Sequence, residues 1–506
     1  MLLVVAGCTK RPISANEVSR EERPDVEMRL ADGTFVRLED AQSSEGSICG
    51  RLLTCSGRSC PTVRMRQCVT KEDIATIHVH EVNKNAIAAG VIVGISAAVV
   101  VGAVIVSTNN SHEKTHSDYA PSRTTSTYGD GLQGSFGSCP RIYSWSGEGW
   151  RLDSGTYGLS YFEAAPRTDF DRLDHVAADH GAYRLRLVNE EDETEHTDLV
   201  RLRVVDHPAG TRIVPTESGQ LLTFRDEVTP REAKDLRGRD ALDLVRAADN
   251  REWTSDLEDR RLVRASDARD GLRFVFAKPH DAKLAKLSVA AHNTKWAGQM
   301  LGYLLAHRGP DLPAWWARMN ADAKARGEFE AFMAREGMLQ VRVRTSAGWK
   351  TRAVFWPAGP EIAKEEAFEL AVDDVPGDTV EIELESALDF WSIDAASMAY
   401  GENEPILVRD LSPTSARTDQ GKDITALLAQ ADGQRFTTVR GEGAELVFTA
   451  PAPAAAGSRR SFIVETKGYD LPNITPAPDA DPAAMDALLH DPFAASRLAL
   501  AFHLMP

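Results

Sequence analysis

Cysteine is scarce: six in 506 residues, five of them before residue 70. A disulfide framework therefore cannot hold the bulk of the chain, and any covalent staples belong to its first part. Aromatic residues make up only 7%. Positive charge is also short, with 58 Lys and Arg against 75 Asp and Glu, a net charge of −17. The deficit falls entirely after residue 106, where 46 basic residues face 63 acidic ones. A surface of that sign repels phosphate backbones, so the composition argues against nucleic acid as a partner. No GxSxG elbow, Walker A loop or CxxC pair occurs. The sequence therefore names no catalytic residue, cofactor or metal ligand, and the expectation is a protein without enzymatic activity.

One stretch lacks charge altogether. Residues 86–106, AIAAGVIVGISAAVVVGAVIV, hold no charged residue and no proline, and Ser96 is their only polar side chain. A helix of that length spans about 30 Å, the thickness of a hydrocarbon core. The stretch is expected to be a transmembrane helix. Small residues recur every fourth position at Ala86, Gly90, Gly94, Ala98 and Gly102, on one face of such a helix. Gly90, Gly94, Ala98 and Gly102 are the candidates for close helix packing and self-association in lipid. Residues 107–138 follow, rich in Ser, Thr, Asn and Gly and without apolar period, as a linker.

Before the helix, residues 25–83 alternate apolar and polar in five short runs: DVEMRL, TFVRLEDA, SICGRLLTC, TVRMRQC and ATIHVHEV. Five short strands in so few residues predict a small SH3-like or Sm-like β-barrel. Cys49, Cys55, Cys60 and Cys68 are disulfide candidates, with three possible pairings. A zinc site using these thiols with His78 and His80 is the alternative, although the spacings lack close knuckles.

The chain opens MLLVVAGCTK, and Val5-Ala6-Gly7-Cys8 resembles the lipobox of bacterial lipoproteins. That resemblance implies a short signal over 1–8 and lipidation at Cys8. It departs from the usual layout, since no basic residue precedes Cys8 and the apolar run is short. Without lipidation, the apolar helix acts as a signal anchor.

Residues 139–292 are expected to form a β-rich module. CPRIYSWSGEGWRLDSG reads as two strands around Ser146-Gly147, and YRLRLVN with LVRLRVVDH as a hairpin across the acidic NEEDET connection. Glu190, Glu191, Asp192, Glu193 and Asp198 are hard-oxygen groups suited to Ca²⁺, but a solvated turn is the plainer expectation. The Cys-Pro-x-x-Tyr opening, DSGTYG, NEEDET and VVDHP together resemble a group of uncharacterised bacterial envelope lipoprotein-like proteins. These have a small β domain, an apolar helix and then this module. The resemblance implies architecture and location only.

Helical spacing over 293–337, broken at Gly309-Pro310, predicts an inserted helical hairpin. Its Trp315, Trp316, Phe329 and Phe332 are read as packing. Short alternating runs over 338–402 predict an antiparallel β-sandwich, resembling galactose-binding-like jelly rolls. That resemblance makes Trp349, Trp356, Trp391 and Asp394 carbohydrate-binding candidates. Further strands are expected over 403–472, then a tail over 473–506. The fold class is thus mainly β with α insertions. The expected role is a membrane-anchored bacterial cell-envelope protein, at the outer membrane or the periplasmic side of the inner membrane. It presents a β-rich domain to an envelope protein or polysaccharide. The alternatives are a carbohydrate-binding module and an envelope hydrolase.

Overall fold

The computed structural model describes residues 9–13, 26–30, 35–43, 47–56, 66–71, 74–81, 139–257 and 269–503. The chain forms two compact units, Met1–Gly131 with Ala501–Pro506, and Leu132–Leu500. The fold is mainly β, with antiparallel sheets. The 86–106 stretch, Cys8, Cys60 and the 107–138 linker lie outside the described residues. Among the described residues, no helix is long and apolar enough to cross a membrane.

Among the described residues, the first unit holds the strands β1 (Thr9–Ile13), β2 (Val26–Leu30), β3 (Phe35–Ser43), β4 (Ser47–Ser56), β5 (Arg66–Thr70) and β6 (Ile74–Glu81). They form one antiparallel sheet in the order β1-β6-β2-β3-β4-β5. The stretch just after Cys8, ahead of the 25–83 runs, supplies edge strand β1, which pairs with β6. Its single apolar residue, Ile13, gave no alternation to read. Cys49 sits across from Cys68 in the β4–β5 register.

The second unit begins with β7 (Arg141–Trp145), β8 (Trp150–Gly155), β9 (Arg167–Leu173), β10 (Ala182–Val188) and the long β11 (Glu193–Pro208). A small pair, β12 (Arg212–Pro215) and β13 (Leu221–Phe224), and then β14 (Glu232–Asp235) follow. After one turn of helix, α1 (Leu242–Val245), come β15 (Asp270–Ala277) and β16 (Leu284–Asn293). Helices α2 (Lys295–Ala306), α3 (Leu312–Ala321) and α4 (Ala323–Glu336) lead to β17 (Leu339–Thr345), β18 (Gly348–Phe355), β19 (Lys364–Ala371), β20 (Thr379–Ser386) and β21 (Trp391–Ala399). The chain closes with β22 (Leu407–Leu411), β23 (Ser415–Thr418), α5 (Thr425–Leu428), β24 (Phe436–Val439), β25 (Gly443–Thr449), β26 (Ser458–Pro472), α6 (Pro482–His490) and α7 (Ala494–His503).

Two sandwiches result, one nested in the other. The outer one packs sheet β23-β25-β10-β7-β8 against sheet β22-β11-β26-β9, with β24 beside β11. Its core joins Leu185 and Leu187 of β10, Leu446 and Phe448 of β25, and Val200, Leu202 and Val204 of β11. Each such side chain contributes about 1.5–3 kcal/mol when fully buried. The inner sandwich, built from β14 to β21, has the sheets β14-β15-β20-β17-β18 and β19-β16-β21. The rings of Phe355, Phe368 and Trp391 meet between them, with Phe355 5.9 Å from Phe368 and 5.2 Å from Trp391.

The expected hairpin of β10 with β11 does not form. β10 pairs with β7 and β25, whereas β11 pairs with β22, β24 and β26. Both strands have an apolar face turned to the same core, so they bury it better from opposite sheets than side by side. The NEEDET connection therefore crosses from one sheet to the other. The helical insertion has three helices, because Asp322 caps α4: its carboxylate accepts the N–H groups of Lys324 and Ala325.

Candidate functional site

Strands present alternate residues to one face, which puts Asp169, Asp171 and Leu173 of β9 on the same side. Leu173 enters the outer core. Asp169 and Asp171 are 2% and 3% exposed. From β19, Lys364 and Glu366 share a face in the same way and are also buried. The Lys364 ammonium pairs with Asp169 and lies 3.0 Å from Oδ1 of Asp171. This is the seam between the two sandwiches. Arg172 pairs with Glu365 across it at 2.6 Å.

The electrostatics of the seam follow from burial and pairing. Burial alone raises the Asp169 carboxyl, but Arg167 and Lys364 outweigh it and hold that acid well below the usual range. Asp171 is pushed up to about 6 by burial and by the charge of Asp169. Glu366 is pushed up to about 8 by burial, which Lys364 only partly offsets. Neither carboxylate oxygen of Glu366 finds a hydrogen-bond partner. Lys364 is held protonated: burial works against its charge, and the two aspartates overcome it.

The loop before β9 shapes the seam. Tyr157 adopts φ +38°, a left-handed conformation that costs of order 1–3 kcal/mol for a bulky residue. Two buried contacts fix it there. Its N–H donates to Oδ2 of Asp169 at 2.8 Å, and its hydroxyl meets the Thr197 hydroxyl at 2.7 Å. Gly468, opposite Thr197 in the register, leaves room for that ring: a Cβ there would lie 2.6 Å from Tyr157 Cζ. Arg167 donates to the Pro357 carbonyl at 2.7 Å and lies 5.5 Å over the Trp356 ring.

A second group of acids continues along the outer core. Glu195 of β11 faces Asp470 of β26 in the register, with Glu193 two residues along. Burial first, and then the charge of Glu193, pushes the Glu195 and Asp470 carboxyls well up, so both favour the protonated form. Buried Cys139, a free thiol, lies in the same field and is also raised, chiefly by burial. Among the described residues, no group of three or more His, Cys, Asp or Glu is arranged to hold a metal ion.

A separate cluster lies on β16 and β21. His292 Nε2 is 2.8 Å from Glu252, and its Nδ1 is 2.8 Å from the Asn293 carbonyl. With both ring nitrogens engaged, this histidine has none left for activating a nucleophile. Asp394 accepts the N–H groups of Asp249 and Asn250, and burial pushes it up to about 6.

The residues singled out in the sequence are dispersed among these features. Trp391 is 1% exposed and donates its indole N–H to the Gly337 carbonyl, and Asp394 is 3% exposed. Trp349 is half-buried, with the guanidinium groups of Arg273 and Arg344 each 5.5 Å from its ring. Trp356 borders the seam through Arg167. Of the acidic connection, Glu190 and Glu191 pair with Arg141, Asp192 accepts from Asn473, and Asp198 accepts from Gly433 N–H. Side chains of Cys49, Cys55 and Cys68, and the residues Gly90, Gly94, Ala98 and Gly102, lie outside the described residues. The linker also holds HEKTH from residue 112, with the spacing of the zinc-binding HExxH motif, and GDGLQG from 129, a GxGxxG match. Both lie outside the described residues, in a sequence without the helical or strand-to-helix pattern that gives such matches meaning.

No family model matches the chain, and no curated protein matches it. Among solved structures, a chain from the atomic structure of Sulfolobus turreted icosahedral virus matches with 7% identity and a TM-score of 0.14. The match covers 61% of this chain and 91% of that one. A likeness of that size carries no argument about fold or activity.

Proposed function

We propose that this chain is a non-enzymatic protein of the bacterial cell envelope, held at a membrane by residues 86–106 and lipidated at Cys8. It presents its nested β-sandwiches to a protein partner or assembly. The carrying observation is the position of the uncharged 21-residue run, between a six-stranded sheet ending at Glu81 and a body whose first strand starts at Arg141. The finer assignment of the inner sandwich to a galactose-binding-like jelly roll belongs to this proposal too. Two features favour presentation over chemistry. The seam carboxylates are 3% exposed or less, so a hydrolase would have no way to bring them to a substrate. Trp391 and Asp394 are equally buried, which weighs against their use in sugar binding.

Fractionation of cells expressing the full chain tests the proposal. Retention in the membrane pellet through an alkaline carbonate wash is expected, and deletion of 86–106 together with Cys8→Ser should release the protein. Release of the unaltered protein by plain buffer would overturn it.

A further inference from the structure

We propose that Lys364 and Asp169 become joined by an isopeptide bond, an amide between Lys364 Nζ and Asp169 Cγ that ties the inner sandwich covalently to the outer one. Three observations carry this beyond the envelope reading. The first is placement: the ammonium of Lys364 contacts Oδ1 of Asp169, and both groups are buried on strands that fix them. Holding two reacting groups in such a geometry replaces a bimolecular encounter with an intramolecular one. The second is dryness. At rest Lys364 is the ammonium and Asp169 the carboxylate; with water excluded, a proton transfer within the cluster reaches the neutral amine and acid that condense without leaving charges to be solvated. A dry site also protects the amide once formed.

The third is the set of groups around Asp169. Its Oδ2 accepts the Tyr157 N–H at 2.8 Å, and the Arg167 guanidinium lies 3.4 Å from its Oδ1. The Tyr157 N–H is placed to stabilise the negative charge that develops on Oδ2 as nitrogen adds to Cγ, and Arg167 sits beside the oxygen that leaves. Asp171, 3.0 Å from the same nitrogen, is placed to carry protons. In the step, Asp171 takes a proton from the ammonium and passes it to Oδ1 of Asp169, and the amine lone pair attacks Cγ of the acid so formed. A tetrahedral adduct forms, Asp171 carries a second proton from its nitrogen to Oδ1, and the C–O bond to Oδ1 breaks. That oxygen leaves as water with two protons that began on the ammonium. One N–C bond replaces one C–O bond, nothing is oxidised or reduced, and no co-reactant is needed.

Tryptic mapping of the full chain, purified from cells, is the test. Because N-terminal processing also alters the total mass, the readout is the peptide. A bond at Lys364 blocks cleavage after that residue and joins fragment 168–172 to fragment 353–409, lighter by one water than the two together. This branched peptide is expected in the wild type and absent in Lys364→Arg. In Asp171→Asn, which keeps the buried Lys364–Asp169 pair but removes the proton carrier, its yield should fall at least tenfold. Complete recovery of linear 168–172 with free cleavage after Lys364 in the wild type overturns the proposal without reference to any variant. A branch mapped to Asp171 overturns the assignment of roles.

Discussion

Glu366 is a single buried acid whose titration should be visible in the stability of the whole. Its carboxyl, near 4.5 in an unfolded chain, is pushed up to about 8 by burial. The native state therefore keeps a proton that the unfolded chain has released, so stability falls as pH rises from about 4.5 to about 8. Glu366→Gln removes this term. Thermal melts should place the variant close to wild type near about pH 5 and clearly above it near about pH 9. Equal differences at both would show that this carboxyl is not raised. Gly359 makes a steric prediction. It has φ +78°, and a Cβ there would lie 2.4 Å from Cys139 Sγ. Gly359→Ala should cost roughly 1–3 kcal/mol by denaturant titration. Cys139→Ala in the same chain should recover part of that loss, since the two sites share the crowded contact. None of this was legible in the sequence. TDFDRL and KEEAFEL carry acids and a lysine at positions that alternation alone would turn to water. The structure turns Asp169, Asp171, Lys364 and Glu366 inward instead, because a second sandwich covers that face.

Individual elements were easier to read than their neighbours in space. Leu185 and Leu187, or Val341 and Val343, alternate with arginines as half-buried strands require, and each pattern falls within a strand. Alternation says which face is apolar but not which strand lies beside it, and this is why β10 and β11 looked like a hairpin. The helices show the opposite limit. Gly309-Pro310 is a strong breaker and was visible. Asp322 sits in a run of good helix formers, and only its cap geometry shows that α3 ends there. Asp322→Ala should therefore cost about 0.5–2 kcal/mol, the usual worth of an N-cap. Denaturant melts monitored by Trp315 and Trp316 fluorescence would check it. A variant as stable as wild type would mean that α3 and α4 run on as one helix without penalty.

At the scale of the molecule, the linear order of segments concealed a nesting. The outer sandwich takes β7–β11 from one end of the body and β22–β26 from the other. The inner one enters and leaves at a single place: Thr223 N–H donates to the Asn403 side chain at 3.0 Å, and Glu404 N–H donates to the Thr223 hydroxyl at 2.8 Å. Ends so close allow an insertion to be cut out without stretching its host. Replacing 228–402 by a short loop should leave an outer sandwich that still melts cooperatively. Its melting temperature should be lower, since Asp169 and Asp171 lose Lys364 and the apolar Val214, Leu222 and Phe224 lose Ala367 and Ala399. Calorimetry with no transition would show that the host cannot stand without its guest.

The register of β11 against β26 has a consequence for the order of events during synthesis. Val200 waits for Thr466, and Leu202 for Val464. The ribosome must emit the entire guest before the last host strand appears, so the guest can finish folding while the first half of its host still lacks a neighbour. A chaperone that shields nascent β-structure has its natural client in that interval, in the stretch from Arg141 to Phe224.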